Sequence, residues 1–214
     1  MDINLLTNQF TVFSALALNE NIVHIASLFD EQYNRESIYN PAGASIYIFT
    51  KIDNSFRIEF AENRIDCFYS NDATDESNLK DFLVLINKIS KSIPLRITRI
   101  AINYAWWIFD EEAKYLNTFN KHLNLNLGDA EELTLTTNNR KELAGINFNI
   151  ITTIQNNIVQ NKLTFENKNG LAFYIDINNV PVKELDIPKI ESLFFSILTV
   201  LNERVSFCKD LINA

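Results

Sequence analysis

Catalysis needs nucleophiles, bases, metal ligands or phosphate cradles in workable arrangements, and these 214 residues offer few. His24 and His122 are the two imidazoles, the groups whose charge changes nearest neutral pH. Neither has Cys, Asp or Glu at a metal-ligand spacing, so no zinc site is expected. His24 stands among apolar neighbours, where a packed and hydrogen-bonded ring is the expectation. His122 follows Lys121 at the end of a polar, helix-like stretch, and a favourable interaction with the helix dipole explains it. No Gly-x-Ser-x-Gly elbow sets a nucleophile beside a base. Gly43, Gly128, Gly145 and Gly170 lie too far apart for a phosphate loop or dinucleotide fingerprint. The sequence therefore predicts no catalytic residue, metal or cofactor. The enzymatic alternative is a hydrolase with a scattered acidic site drawn from residues such as Asp176 and Glu203.

The segment richest in recognition chemistry runs through Arg99. Strand alternation puts Ile100, Ile102, Tyr104 and Trp106 on one face. The other face receives Ile97, Arg99, Ala101, Asn103, Ala105 and Trp107, so polar groups alternate with small ones and leave room beside a charge. By the same rule Tyr174 and Asp176 point away from Phe173 and Ile175. If the two strands are neighbours, Arg99 and Asp176 are placed to pair across a partly buried surface. Consecutive tryptophans must face opposite sides, so at least one of Trp106 and Trp107 lies off the main core. Tryptophan is enriched at binding hot spots. Arg99, Asn103, Trp106, Trp107 and Asp176 are accordingly the candidate binding residues.

These residues need strands to hold them and helices to cover the strands. Alternation predicts a strand over Gln9 to Leu18, then a helix capped by Asn21, with Ile22, Ile25, Ala26 and Phe29 at helical spacing before Asn40-Pro41. Three short strands follow, at 46–52, 56–61 and 64–69, an antiparallel meander. Leu79, Phe82, Leu83, Ile86 and Ile89 recur every three or four positions, which predicts an amphipathic helix from about 75 to Ser92, stopped by Pro94. A long strand runs from about Leu95 to Phe109, and a polar helix covers 111–123. Strands are expected at 132–137, 146–154, 159–166 and 171–177, with turns at Asn138-Asn139, Asn156-Asn157 and Asn169-Gly170. Asp186 caps a final helix whose stripe from Ile190 to Ile212 wants a sheet to cover. Strands joined by such short turns are antiparallel. The prediction is one α+β domain over 1–214, in two intimately packed halves, about 1–110 and 111–214. Each half ends in an amphipathic helix on one face of antiparallel sheet.

The stretch Arg99-Ile100-Ala101-Ile102-Asn103-Tyr104, the later Asp176-Ile177-Asn178, and Leu201-Asn202-Glu203 with Phe207 resemble the signature of a sporadically distributed, largely uncharacterised prokaryotic family. Its members carry an Arg-x-Gly-x-Arg-Tyr-x-Asn strand in mid-chain, an Asp-x-Asp strand, and a long final helix with a Leu-His-Glu start. Here Ala101, Asn103, Trp106, Asn178 and Asn202 depart from that pattern, mostly by removing a charge or a titrating group. The resemblance implies the order of elements and no activity.

The formal charge of −8 repels phosphate backbones, and no basic stripe offsets it, so nucleic acid is an unlikely partner. Cys67 and Cys208 are the two cysteines, expected as buried, reduced thiols. The opening Met1-Asp2-Ile3-Asn4 lacks the basic segment and apolar core of a secretion signal. No apolar run spans a bilayer, so no membrane partner is expected. These features point to the cytoplasm. The expected function is a non-enzymatic protein-interaction or regulatory module, of the kind that serves as a prokaryotic defence or immunity accessory, binding another protein or itself. The alternative is a small-molecule or lipid-binding domain in which the sheet grips the final helix around an apolar pocket.

Overall fold

The computed structural model describes residues 3–18, 21–39, 45–70, 76–109, 134–160 and 167–213. The expected helix at 111–123 with His122, the Asn40-Pro41 turn and Gly128 lie outside them. The chain runs β1 (Ile3–Ser14), α1 (Ile22–Ala26), β2 (Tyr33–Tyr39), β3 (Ser45–Lys51), β4 (Phe56–Ala61), β5 (Arg64–Tyr69), α2 (Glu76–Ser92), β6 (Ile97–Phe109), β7 (Thr134–Leu143), β8 (Ile146–Gln160), β9 (Asn167–Asn179) and α3 (Ile187–Asn213). The nine strands form a single sheet in the order β2-β3-β4-β5-β1-β6-β9-β8-β7. Every pairing is antiparallel, so the α+β class read from the short turns holds.

One plan is used twice. An inner strand, β1 or β6, is followed by a jump to the outer edge, to β2 or β7. A meander then leads back to the inner strand, and a helix follows. The two inner strands pair with each other from Ile3↔Ile108 to Ser14↔Ile97. The repeat therefore divides between α2 and β6, ahead of the expected boundary near residue 110.

The helices share the face that carries Phe10, Ile58, Ile102 and Phe173. Phe10 stacks on Phe82 of α2 at 5.4 Å and meets Phe194 of α3 edge-on at 6.0 Å, while Phe82 and Phe194 touch at 5.0 Å. Burying each ring contributes about 1.5–3 kcal/mol, so this triple contact binds sheet and both long helices into one core. The apolar stripe of α3 is filled in: Ile190, Leu193, Phe194, Ile197 and Leu201 have no exposure. Asp186 caps that helix as its position implies, its Oδ1 accepting the Lys189 N–H at 2.8 Å.

Several local expectations fail for identifiable reasons. β1 begins six residues earlier than its alternation suggests, because a bulge between Leu5 and Thr7 breaks the pattern. α1 is one short turn, and Asn21 makes no side-chain cap bond. Its buried Ile25 and Phe29 precede an unforeseen edge strand, β2, exposed from Asn34 to Tyr39, which no apolar alternation announces. The three asparagine turns are absent: Asn138 pairs with Ile151, Asn156 with Leu171, and Asn169 with Ile158, all inside strands. The β7–β8 reversal falls at Ala144-Gly145, with φ of 48° and 79°, the left-handed pair that a two-residue hairpin demands. Ile97 joins the core because a bulge shifts the register between Phe13 and Ser14.

Candidate functional site: the helix-free face of the sheet

No described helix covers the other face of the sheet, and antiparallel register arranges its side chains in rows. One row crosses Glu59, Asp66, Thr11, Ala101, Asn178, Asn149 and Arg140. The next crosses Arg57, Phe68, Gln9, Asn103, Asp176 and Ile151. Beyond it Ala105 stands beside Tyr174, and Trp107 beside Ala172. Ala101, Ala105 and Ala172 are buried, so they form a low floor between the longer side chains.

On the β5 side this face is closed by its own bonds. Asp66 is buried, and its Oδ1 accepts Gln9 Nε2 and Thr11 Oγ1, both at 2.7 Å. Its Oδ2 meets Arg64 Nε at 2.6 Å. Arg57 pairs with Glu59 and lies 5.9 Å over the Phe68 ring. A buried carboxylate requires such company, and nothing in the local sequence around Asp66 announces partners from a strand so distant in the chain.

The β6–β9 side is more open. The two strands are neighbours, yet register places Asn103 opposite Asp176, and Arg99 lies four residues further along, about 13 Å away at strand rise. Arg99 and Asp176 are on one face and do not pair. The Arg99 guanidinium instead lies 5.0 Å over the Phe13 ring, and its buried Nε has no hydrogen-bond partner among the described residues. Asp176 accepts both contacts of Asn178 Nδ2 at 3.0 Å, and Asn149 Nδ2 donates to Asn178 Oδ1 at 3.3 Å. Asn179 secures the strand ends, its Oδ1 accepting the Ile100 N–H at 2.6 Å.

The tryptophans separate as strand geometry requires. Trp106 is a core residue, stacked on Phe173 at 4.9 Å and 8° and tilted against Tyr104. It is therefore removed from the candidate binding set. Trp107 lies on the helix-free face, in edge contact with Phe109 at 4.2 Å. Glu203, the suggested catalytic companion of Asp176, extends from α3 on the helix side and meets Lys141 at 3.6 Å; the sheet lies between the two carboxylates. His24 is exposed on α1, not packed as expected. Cys67 and Cys208 are both free and buried. Among the described residues no three His, Cys, Asp or Glu side chains gather into a metal-binding group. None of the described helices is long and apolar enough to cross a membrane.

No protein-family model and no curated protein matches the chain. Among solved structures it is similar to the rolling circle replication initiator protein from Geobacillus stearothermophilus, with 10% identity and a TM-score of 0.29 over 83% of this chain and 75% of that one. So distant a likeness carries no functional inference.

Proposed function

We propose that this chain is a non-enzymatic protein-interaction module that engages another protein through the helix-free face of its sheet. The observation behind the reading is the strip Arg99, Ala101, Asn103, Ala105 and Trp107 on β6. There a guanidinium with an unpartnered Nε and a half-buried amide flank a floor of alanines. Arg99 offers the planar donor fork that grips a carboxylate in two places. The alanine floor admits that side chain, beside Trp107, a largely buried aromatic of the kind enriched at hot spots. The partner is thus a protein presenting an acidic or carboxamide side chain. A second copy fits less well, because molecules each carrying −8 repel one another.

The test begins with affinity capture from the native host and rebuilding of the captured complex from purified components. Hydrogen exchange across that complex is expected to slow in β1, β6 and β9, and Arg99→Glu to weaken it by at least about tenfold. Val84→Glu, on the exposed side of α2, serves as the control and is expected to leave affinity unchanged. Protection confined to the helix surface, or indifference to Arg99→Glu, overturns the reading, as does a homodimer that needs no second protein.

A further inference from the structure

On the opposite, helix-bearing side, α2 and the outer strands enclose a cleft of about 530 Å³. Its volume suits a compound of one or two rings. The wall given by the strands is aromatic. Phe56 stands between Tyr69, at 5.0 Å and 53°, and Tyr33, at 6.5 Å and 86°, and Leu85 of α2 lines the same space. Tyr33, Phe56 and Leu85 pack against the core yet are only half-buried, so apolar surface is left facing the cleft. Rings set at such angles offer both faces and edges, the two ways in which a further aromatic ring is met.

The polar groups around these rings already have employment inside the protein. Lys51 meets Asp53 at 3.9 Å, and Lys88 donates to the Leu28 carbonyl at 3.1 Å. The Ser55 hydroxyl donates to Asp53 Oδ1 at 2.6 Å, and the Ser70 hydroxyl to the Ser55 carbonyl at 3.4 Å. Ser77 and Asn78 are engaged as well. Asp81 and Lys88 are exposed, where water serves their charges. Charges of both signs therefore surround the cleft, with Lys51 and Lys88 set against Asp53 and Asp81. Burial raises the pKa of Tyr33 and Tyr69, and Asp81 adds to the shift in each, so both phenols stay neutral. What the cleft offers a ligand beyond what water offers is ring surface, not a field of one sign.

We propose that this cleft binds a small uncharged aromatic molecule of one or two rings, laid against Phe56 and Tyr33 and flanked by Leu85. An ion entering it would give up hydration without finding an unengaged counter-charge. A saturated ring would bury the same apolar area and lose the stacking and edge contacts.

NMR titration of the full chain tests this with probes of matched size: benzyl alcohol, benzoate, benzylammonium and cyclohexylmethanol. At millimolar concentration benzyl alcohol is expected to bind about three- to tenfold more tightly than each of the others. Its ring protons are expected to show contacts with the Leu85 methyls and the Phe56 ring. Phe56→Leu keeps apolar bulk and removes the ring, and is expected to weaken binding by about the same factor. The ranking and the contacts use the protein without substitution, so they decide the matter whether or not Phe56→Leu folds. The proposal is overturned if benzyl alcohol does not bind, if either ion or the saturated ring binds equally well, if the contacts fall outside the cleft, or if folded Phe56→Leu retains full affinity.

Discussion

A carboxylate deprived of water must find its hydrogen bonds in the protein, and Asp66 finds three, from Gln9, Thr11 and Arg64. Asp66→Ala leaves the buried Thr11 hydroxyl without its acceptor, takes one acceptor from the half-buried Gln9 amide and sets a half-exposed arginine loose. Its expected cost is about 2–3 kcal/mol, read as a lower urea midpoint with an unchanged slope. The two thiols make a prediction of opposite chemistry. Burial pushes Cys208 from its ordinary 9.0 up to about 12 and Cys67 well above its usual value. Once unfolded, the thiols ionise first, so the unfolded chain binds fewer protons above pH 9 and stability falls as pH rises. The contribution is complete below the unfolded pKa and is lost through the window up to the folded one, at up to about 1.4 kcal/mol per pH unit for each thiol. Urea titrations across that range should show the decline, and Cys208→Ala should make it shallower. A thiol-reactive dye at pH 8 is expected to label neither cysteine until the protein unfolds. Such details were unevenly legible in the sequence. Alternation gave the face of Arg99, Asn103 and Asp176 correctly, but pairing depends on register, and a shift of four residues separates charges that share one face. Asp66 showed only Arg64 nearby in sequence, since its other two partners, Gln9 and Thr11, come from β1.

The β7–β8 hairpin turns on Ala144 at φ 48° and Gly145 at φ 79°. Only one of the two residues suits that geometry without strain. Ala144→Gly is expected to stabilise the protein by about 0.5–1 kcal/mol, or roughly 2–3 °C in Tm for a chain of this size. Gly145→Ala has open space around the new methyl and should still destabilise by about 1 kcal/mol through backbone strain alone. Differential scanning calorimetry of the two variants checks both signs. The misplaced asparagine turns have the same origin. Asparagine tolerates left-handed dihedrals, but tolerance is not obligation, and at Asn138 and Asn156 the neighbouring strands capture the backbone first. Elements whose apolar spacing reports a buried face, α2, α3 and the β3–β5 meander, were readable almost to the residue. Strand β2 was not, because an exposed edge leaves no apolar period to read.

Across the molecule, the order expected in each half, antiparallel strands and then an amphipathic helix, corresponds to a repeated path of strands, with β1 and β6 as the central pair. Phe10 sits at that junction against both long helices. Phe10→Ala is expected to cost about 3–5 kcal/mol and to speed hydrogen exchange in α2 and α3 together; acceleration in one helix alone would mean that the halves are energetically independent. The same arrangement has a consequence for biosynthesis. Of these nine strands the one translated first ends up in the middle of the sheet, its Phe13 awaiting Arg64 on one flank and Arg99 on the other. While the ribosome is still making the second half, a finished five-strand ribbon holds an open seam along β1 until β6 arrives to close it.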